Sequence, residues 1–171
     1  MSVVLTSLTK ADPQAIEELL DAAFGADRRG RTAYRLRERV GWLPELSFAA
    51  WDGAQLIGTL QSWPVALRTA NGEERLVMVG PVAVLPRLQG HGIGKLLMNA
   101  LAGAAEATGA DALMMIGDPG YYGHWGFTAE QTGGWQIEGP YERHRLLCRL
   151  RRPVAERGLL TSIHQSEFAF E

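Results

Sequence analysis

The rhythm of apolar positions changes several times along the chain, and each change marks an element. Val3 to Leu8 reads as a short first strand. Behind Asp12-Pro13, the residues Ile16, Leu19, Leu20, Ala23 and Phe24 recur at three- and four-residue spacing. That is the period of a helix, with Asp12 as its N-cap, Pro13 at its first position and Gly25 as its stop. Ala33, Leu36 and Val40 share one helical face, so a second helix is expected over residues 27–40, reached through a mobile loop at Arg28-Arg29-Gly30-Arg31. After Pro44 the pattern becomes extended. Ser47 to Trp51 and Gln55 to Trp63 flank the turn signal Asp52-Gly53, and a third run, Val65 to Thr69, leads through Asn71-Gly72 into a strand starting near Glu74.

The stretch from Leu76 to Leu85 is apolar at nearly every position, which predicts a strand covered on both faces. Gly80-Pro81 interrupts it. Proline cannot donate to a ladder, so a bulge or a local loss of pairing is expected there. Pro86 stops the run, and Gln89-Gly90-His91-Gly92-Ile93-Gly94 follows. Apolar residues then return at Ile93, Leu96, Leu97, Ala100, Leu101 and Ala104, a helix running to about Thr108 and ended by Gly109. Ala112 to Ile116 is a further short strand. The 26 residues from 86 to 111 leave room for a helical crossover, which makes the strands on either side a parallel pair with a right-handed connection. Residues 117–127 read as a loop or a single helical turn crowded with aromatics, and Arg145 to Leu150 as another strand. Gly133, Gly134, Gly139 and Pro140 punctuate the segment between them, and Val154 to Phe170 is weakly patterned, a tail packing on the domain. The fold expected is α/β (α+β): a mixed, mostly antiparallel central sheet flanked by helices, with a splayed parallel strand pair.

Composition narrows the setting. With 171 residues the chain is expected to be a single domain, 1–171, with a core over about 3–152 and a tail over 153–171. A hydrophobic fraction of 46%, a charged fraction of 21% and a net charge of -2 give no sign of a nucleic-acid or membrane surface. The single cysteine, Cys148, excludes an internal disulfide framework and a cysteine-rich zinc site. With no secretory pattern at Met1-Ser-Val-Val-Leu and no apolar run near the ~20 residues that span a bilayer, a cytoplasmic location is expected. The arginines between 28 and 39 read as a solvated face, with steering of an anionic ligand as the minor reading.

The candidate chemistry lies in the glycine turn. Gly90, Gly92 and Gly94 alternate where a helix begins, so the backbone can approach a ligand closely and aim several N–H groups the same way. With the positive end of the helix dipole, those donors make an anion site, and a phosphate-bearing small molecule is the ligand class. A Walker A loop is excluded: Gly94-Lys95 is present, but Gln89 stands where the leading glycine belongs, and Leu96 follows the lysine. The spacing Gly90-x-Gly92-x-Gly94, placed after antiparallel strands, also fits a dinucleotide fingerprint poorly.

A third pattern fits. Gln89-x-x-Gly92-x-Gly94 after Val82-Ala83-Val84-Leu85-Pro86 resembles the acetyl-CoA signature of the Gcn5-related N-acetyltransferase (GNAT) superfamily. Tyr34-Arg35-Leu36-Arg37, Ser47-Phe48-Ala49-Ala50, Leu56-Ile57-Gly58 and Gly117-Asp118-Pro119-x-Tyr121-Tyr122-Gly123-x-x-Gly126-Phe127 resemble a bacterial branch of small N-acetyltransferases, and together they cover about residues 30–130. The resemblance implies an enzyme that transfers an acetyl group directly from acetyl-CoA to a primary amine of a small molecule or protein, without a metal. The alternative is a non-catalytic acyl-CoA-binding or sensor module. It implies that backbone N–H groups of Gln89, Gly90, His91, Gly92, Ile93, Gly94 and Lys95 hold the CoA pyrophosphate. It also implies that the pantetheine arm pairs like an added strand beside Val82, Ala83 and Val84, the break at Gly80-Pro81 opening a slot for the thioester. By the same analogy the Val84 N–H serves the oxyanion, and Tyr122 contacts the cofactor and acts as general acid, with Tyr121 as understudy.

The chain departs from the superfamily in one place: Gly117-Asp118 stands where many members carry an asparagine that helps hold the CoA arm or a water. Glu45, Asp118, His124, Glu130 and water compete for the general base, and His91 is read as an exposed filler. His144 with Cys148 raises an acyl-cysteine route, against which a lone cysteine in an alternating strand reads as core. Acetyl-CoA and an amine acceptor are the partners expected, with no nucleic acid, no membrane, and a homodimer as an open option.

Overall fold

The structure is a computed structural model that describes residues 1–163. The chain gathers into two compact units that alternate along the sequence. The first takes Met1–Gly30, Trp42–Ser62 and Gly80–Gly109; the second takes Arg31–Gly41, Trp63–Val79 and the chain from Ala110 onward. The fold is mixed, with a mostly antiparallel sheet, one parallel strand pair and flanking helices.

In the first unit, β1 (Val3–Ser7) pairs antiparallel with β2 (Phe48–Asp52), and β2 with the start of β3 (Gln55–Thr69). The register runs Val3↔Asp52 to Ser7↔Phe48, and the β2–β3 hairpin turns at Asp52-Gly53, where Gly53 has φ +59. β3 is followed by β4 (Gly72–Val84), whose end is tied back to β3 where the Leu85 N–H donates to the Ile57 carbonyl at 3.0 Å. Helix α1 (Pro13–Phe24) starts as expected: the Asp12 carboxylate accepts the Gln14 N–H, and Gly25 closes the helix at φ +93. Leu8, Ile16, Leu19, Leu20, Ala49, Leu56 and Ala83 form the core of this unit. Helix α2 (Ile93–Thr108) buries Ile93, Leu97, Leu101 and Ala105, one stripe at four-residue spacing, together with Met98. Leu96, off that stripe, is 41% exposed.

In the second unit the end of β3 pairs antiparallel with β8 (Arg157–Ser162), from Val65↔Ser162 to Arg68↔Leu159. β4 and β5 (Ala112–Ile116) are parallel, as the crossover argument requires, through Val77↔Leu113 and Met78↔Met114. β7 (Leu146–Leu150) lies antiparallel to β5 through five residue pairs, and β6 (Gly134–Ile137) runs parallel to β8. The core here is separate: Leu36, Val65, Leu67, Met78, Met114, Trp135, Leu146 and Cys148 among others.

Five expectations are corrected. Residues 27–40 form no α-helix but two 3₁₀ segments, Arg28–Gly30 and Thr32–Arg37. Their anchors belong to different units. In the first unit Arg28, 1% exposed, is held by Asp21 at 2.8 Å and Glu17 at 3.4 Å, so this stretch is not a loose loop. In the second, the Thr32 hydroxyl donates to the Pro140 carbonyl at 2.5 Å, and Leu36 is buried. Val65–Thr69 is no separate strand, because β3 continues through Pro64. The proline falls in the gap between two partners, after the last β2 pair at Leu60 and before the first β8 pair at Val65. β4 is covered on both faces only in its middle, where adjacent Met78 and Val79 are buried, whereas Val77, Pro81, Val82 and Val84 are only half-buried. The punctuated segment after Gly133 contains β6, and the expected tail contains β8; residues 164–170 of that tail lie outside the described residues. In both cases glycine does the opposite of breaking a strand. A Cβ at Gly134 would stand 2.3 Å from the Glu156 carbonyl oxygen, and one at Gly158 would stand 2.6 Å from that of Arg68. These glycines let strands approach.

The anomaly at Gly80-Pro81 is a cis peptide bond, with Gly80 at φ +122. The ladder to β5 ends at Met78, two residues before it, in keeping with the expected local loss of pairing.

Candidate functional site

The glycine turn is built from the first unit. β4 ends at Val84, and Pro86 opens a 3₁₀ turn, Pro86–Leu88, in which the Leu88 N–H donates to the Leu85 carbonyl and the Gln89 N–H to that of Pro86. Gly90 at φ +86 and Gly92 at φ +83 then reverse the chain into α2. A Cβ at either glycine would meet no atom within 4 Å, so left-handed backbone alone demands glycine there, and the space in front of the turn is open. Gly92 is the N-cap of α2 and has no side chain to cap it. The first N–H groups of a helix have no partner within the helix, so this one begins with donors and the positive dipole end facing an open turn. Gln89, Gly90, His91, Gly92 and Lys95 are exposed, while Ile93 is buried and Gly94 half-buried. Gln89 Nε2 lies 3.5 Å from the Val84 carbonyl oxygen, which brings the turn back to the strand end.

One residue quoted only as part of a motif, with no role given to it, sets this geometry. Gly58 on β3 is crossed so closely that a Cβ there would lie 3.0 Å from Ile93 Cγ2, 3.2 Å from Leu97 Cδ1 and 3.2 Å from the Ala83 carbonyl oxygen. Its missing side chain lets the first turn of α2 and the end of β4 settle on β3. A lone glycine inside a strand pattern is the signal that could have found it.

The second unit carries Tyr122. β5 ends at Ile116, Gly117 donates its N–H to the Arg145 carbonyl at 2.9 Å, and Asp118 caps the single turn α3 (Pro119–Tyr122) by accepting the Gly120 N–H. The Asp118 carbonyl accepts the N–H groups of Tyr121 and Tyr122. Tyr122 is half-buried in an aromatic cluster, its ring 4.9 Å from that of Tyr121 and 6.3 Å from that of Trp125. Burial pushes the Tyr122 phenol up to about 12; the nearby Tyr121 and Asp118 push the same way, and Arg145 opposes them. The phenol is thus held protonated.

The other candidates fall into place individually. Asp118 is occupied as a helix cap, Glu45 and Glu130 are exposed, and exposed His124 stands edge-on to Trp125 at 4.8 Å. His144 is exposed, its Nε2 3.4 Å from Glu142. Cys148 is fully buried in β7, and burial raises its thiol to about 11, so the thiolate an acyl-cysteine route needs is disfavoured. Among the described residues, no three His, Cys, Asp or Glu stand together so as to hold a metal, and no helix is long and apolar enough to cross a membrane.

Comparison with known proteins places these features in a family context. A family model described as "Acetyltransferase (GNAT) family" matches residues 14–127. The uncharacterized N-acetyltransferase YhbS of Escherichia coli is 30% identical over 117 residues, 68% of each chain. A second Escherichia coli protein, the uncharacterized N-acetyltransferase YjhQ, is 25% identical over 155 residues, 89% of this chain and 85% of its own. Among solved structures, Escherichia coli YhbS in complex with CoA superimposes with a TM-score of 0.72 at 23% identity, over 99% of this chain and 93% of that one. A GNAT family acetyltransferase from Brucella melitensis in complex with acetyl-CoA gives 0.63 at 25% identity, over 99% of both chains.

Proposed function

The chain belongs to the acetyltransferase (GNAT) family, and from that premise we propose that it is an N-acetyltransferase, a single functional domain that carries an acetyl group from acetyl-CoA to a primary amine. The observation that carries the reading is the glycine turn: two left-handed glycines with open space before them, at the start of an uncapped 16-residue helix. The CoA and acetyl-CoA complexes of two structural relatives support that choice of ligand.

In this reading the backbone donors from Gly90 to Lys95 hold the pyrophosphate. The Gln89 N–H is engaged by Pro86, so Gln89 contributes through its side chain. The stretch Val82–Val84, with Ala83 buried and Val82 and Val84 half-buried, accepts the pantetheine arm as an added strand, and the Val84 N–H faces the thioester oxygen as charge develops on it. The amine nitrogen attacks the thioester carbon, the C–S bond breaks, and one proton passes in net from nitrogen to sulfur. Tyr122 is the group proposed at the sulfur. A phenol held near 12 gives its proton outright to a thiolate of ordinary pKa, ~8.5, only at a cost of roughly 4–5 kcal/mol. Its part is therefore to keep a hydrogen bond on the departing sulfur while the proton shed by the amine arrives. A cytoplasmic setting suits a chain whose one cysteine is buried and unpaired.

The test is incubation with acetyl-CoA and a panel of primary amines, reading free CoA with a thiol dye and the acetylated amine by mass spectrometry. Amide product supports the proposal. Binding of acetyl-CoA without product from any amine replaces it by a binding module, and no binding of CoA or acetyl-CoA removes both readings.

A further inference from the structure

We propose that Gly117 is a positioning residue for Tyr122: the side chain it lacks is the seat in which the edge of the tyrosine ring lies. The inference rests on the role proposed above for Tyr122, and it gives a reason for glycine at a place where many members of the superfamily are expected to carry asparagine.

A Cβ built on Gly117 would stand 2.7 Å from both Cδ2 and Cε2 of Tyr122, a separation real Cβ atoms do not reach. The backbone does not ask for glycine here. Gly117 is absent from the glycines with positive φ, so any residue could adopt its conformation, and the demand comes from the ring alone. Nor can the clash be relieved by a small backbone shift. The Gly117 N–H is fixed to the Arg145 carbonyl at 2.9 Å, directly after the pair Ile116↔Leu146 that ends the β5–β7 ladder. On the other side Tyr122 is held by its own N–H, which donates to the Asp118 carbonyl at 2.9 Å, and by its carbonyl, which accepts the N–H of buried Phe127 at 3.3 Å. With both backbones tied, a side chain at 117 must push the ring. The aromatic neighbours are weaker restraints, because Tyr121 is itself 36% exposed and the Trp125 ring stands 6.3 Å away. The charged and titratable groups that act on the phenol are Tyr121 and Asp118 on the α3 side and Arg145 before β7, and the substitution replaces none of them.

The experiment compares wild type, Gly117→Ala, Tyr122→Phe and the double variant. The protein is labelled with 3-fluorotyrosine, and the Tyr122 signal among four tyrosines is the one lost in Tyr122→Phe. In Gly117→Ala that ¹⁹F signal is expected to move toward the shift of free 3-fluorotyrosine, while those of Tyr34 and Tyr141 stay. CoA release is measured with lysine, phenethylamine and spermidine, using the fastest acceptor. Gly117→Ala is expected to lower kcat at least tenfold with KM for acetyl-CoA within twofold, and to change kcat less than twofold when added to Tyr122→Phe. An unmoved Tyr122 signal overturns the proposal, as does an equal loss of kcat in both backgrounds. If Tyr122→Phe does not slow CoA release, or no acceptor supports release, the proposed role of Tyr122 fails and the ¹⁹F spectrum alone decides the seat. If Gly117→Ala does not fold, Gly117→Ala with Tyr122→Ala is expected to melt within about 2 °C of Tyr122→Ala alone, and failure to recover overturns the contact.

Discussion

Gly92→Ala separates what the glycine turn does for the fold from what it does for a ligand. The substitution places a Cβ at φ +83 with no atom within 4 Å. Its cost to the ligand-free protein is therefore that of a left-handed residue without a clash, about 1–2 kcal/mol. Gly109→Ala, at the other end of the same helix, is the control: φ is +73, the space around its Cβ is equally empty, and the expected cost is the same. In a domain of this size each kcal/mol lowers Tm by about 2–4 °C. Acetyl-CoA at a hundredfold excess over Kd stabilises wild type by about 2.7 kcal/mol. If the pyrophosphate occupies the space before the turn, the new methyl group of Gly92→Ala lies against it. A tenfold loss of affinity then cuts the gain at the same concentration to about 1.4 kcal/mol, whereas Gly109→Ala keeps the full gain. The assay is thermal melting followed by circular dichroism, with and without acetyl-CoA. Equal ligand gains in the two variants would refute the assignment of the turn as the phosphate clamp.

Tyr122→Phe is expected to lower kcat by ~10²-fold, the lower end for loss of a proton-handling group, with KM for acetyl-CoA little changed. Because the folded-state phenol is raised to about 12, its ionisation should leave the pH–rate profile flat up to at least pH 10, and a rate falling through pH 8 with this tyrosine as its cause would contradict the assignment. Gly58→Ala drives a methyl group into Ile93, Leu97 and the Ala83 carbonyl, and urea unfolding should register a loss of about 1–3 kcal/mol along with weaker acetyl-CoA binding. The Cys148 thiol, fully buried, is raised from 9.0 to about 11, so the folded state holds its proton more tightly than the unfolded chain. The associated stability is complete below about pH 9 and is lost between about pH 9 and 11; by pH 10 about 1.4 kcal/mol should be gone. Urea midpoints at pH 8 and pH 10 should show that loss in wild type and not in Cys148→Ala.

Legibility followed the range over which each signal acts. Asp12-Pro13 and Gly25 bound α1 through hydrogen bonds and dihedral preferences spanning a few residues, so the helix could be read where it stands. The Asp52-Gly53 turn is local in the same sense, and the length of the crossover before Ala112 was enough to make β4 and β5 parallel. The glycine turn belongs to this group, since positive φ at Gly90 and Gly92 is a property of two residues. Residues 27–40 misled because an apolar stripe states only that a face is buried, and here Arg28 and Leu36 are buried in separate units. β6 and β8 were hidden for another reason: Gly134 and Gly158 look like breaks in a sequence and are close contacts in the fold.

The sequence by itself thus determined the left-handed glycine turn, the apolar strand before it and the helix after it, because each depends on backbone preferences and periodicity within a few residues. Only the tertiary structure decided that Pro64 sits between two strand partners, and that Gly58 and Gly117 are glycine because Ile93 and the Tyr122 ring lie where their side chains would be. The physical reason is that excluded volume between segments far apart in sequence leaves no periodicity to read.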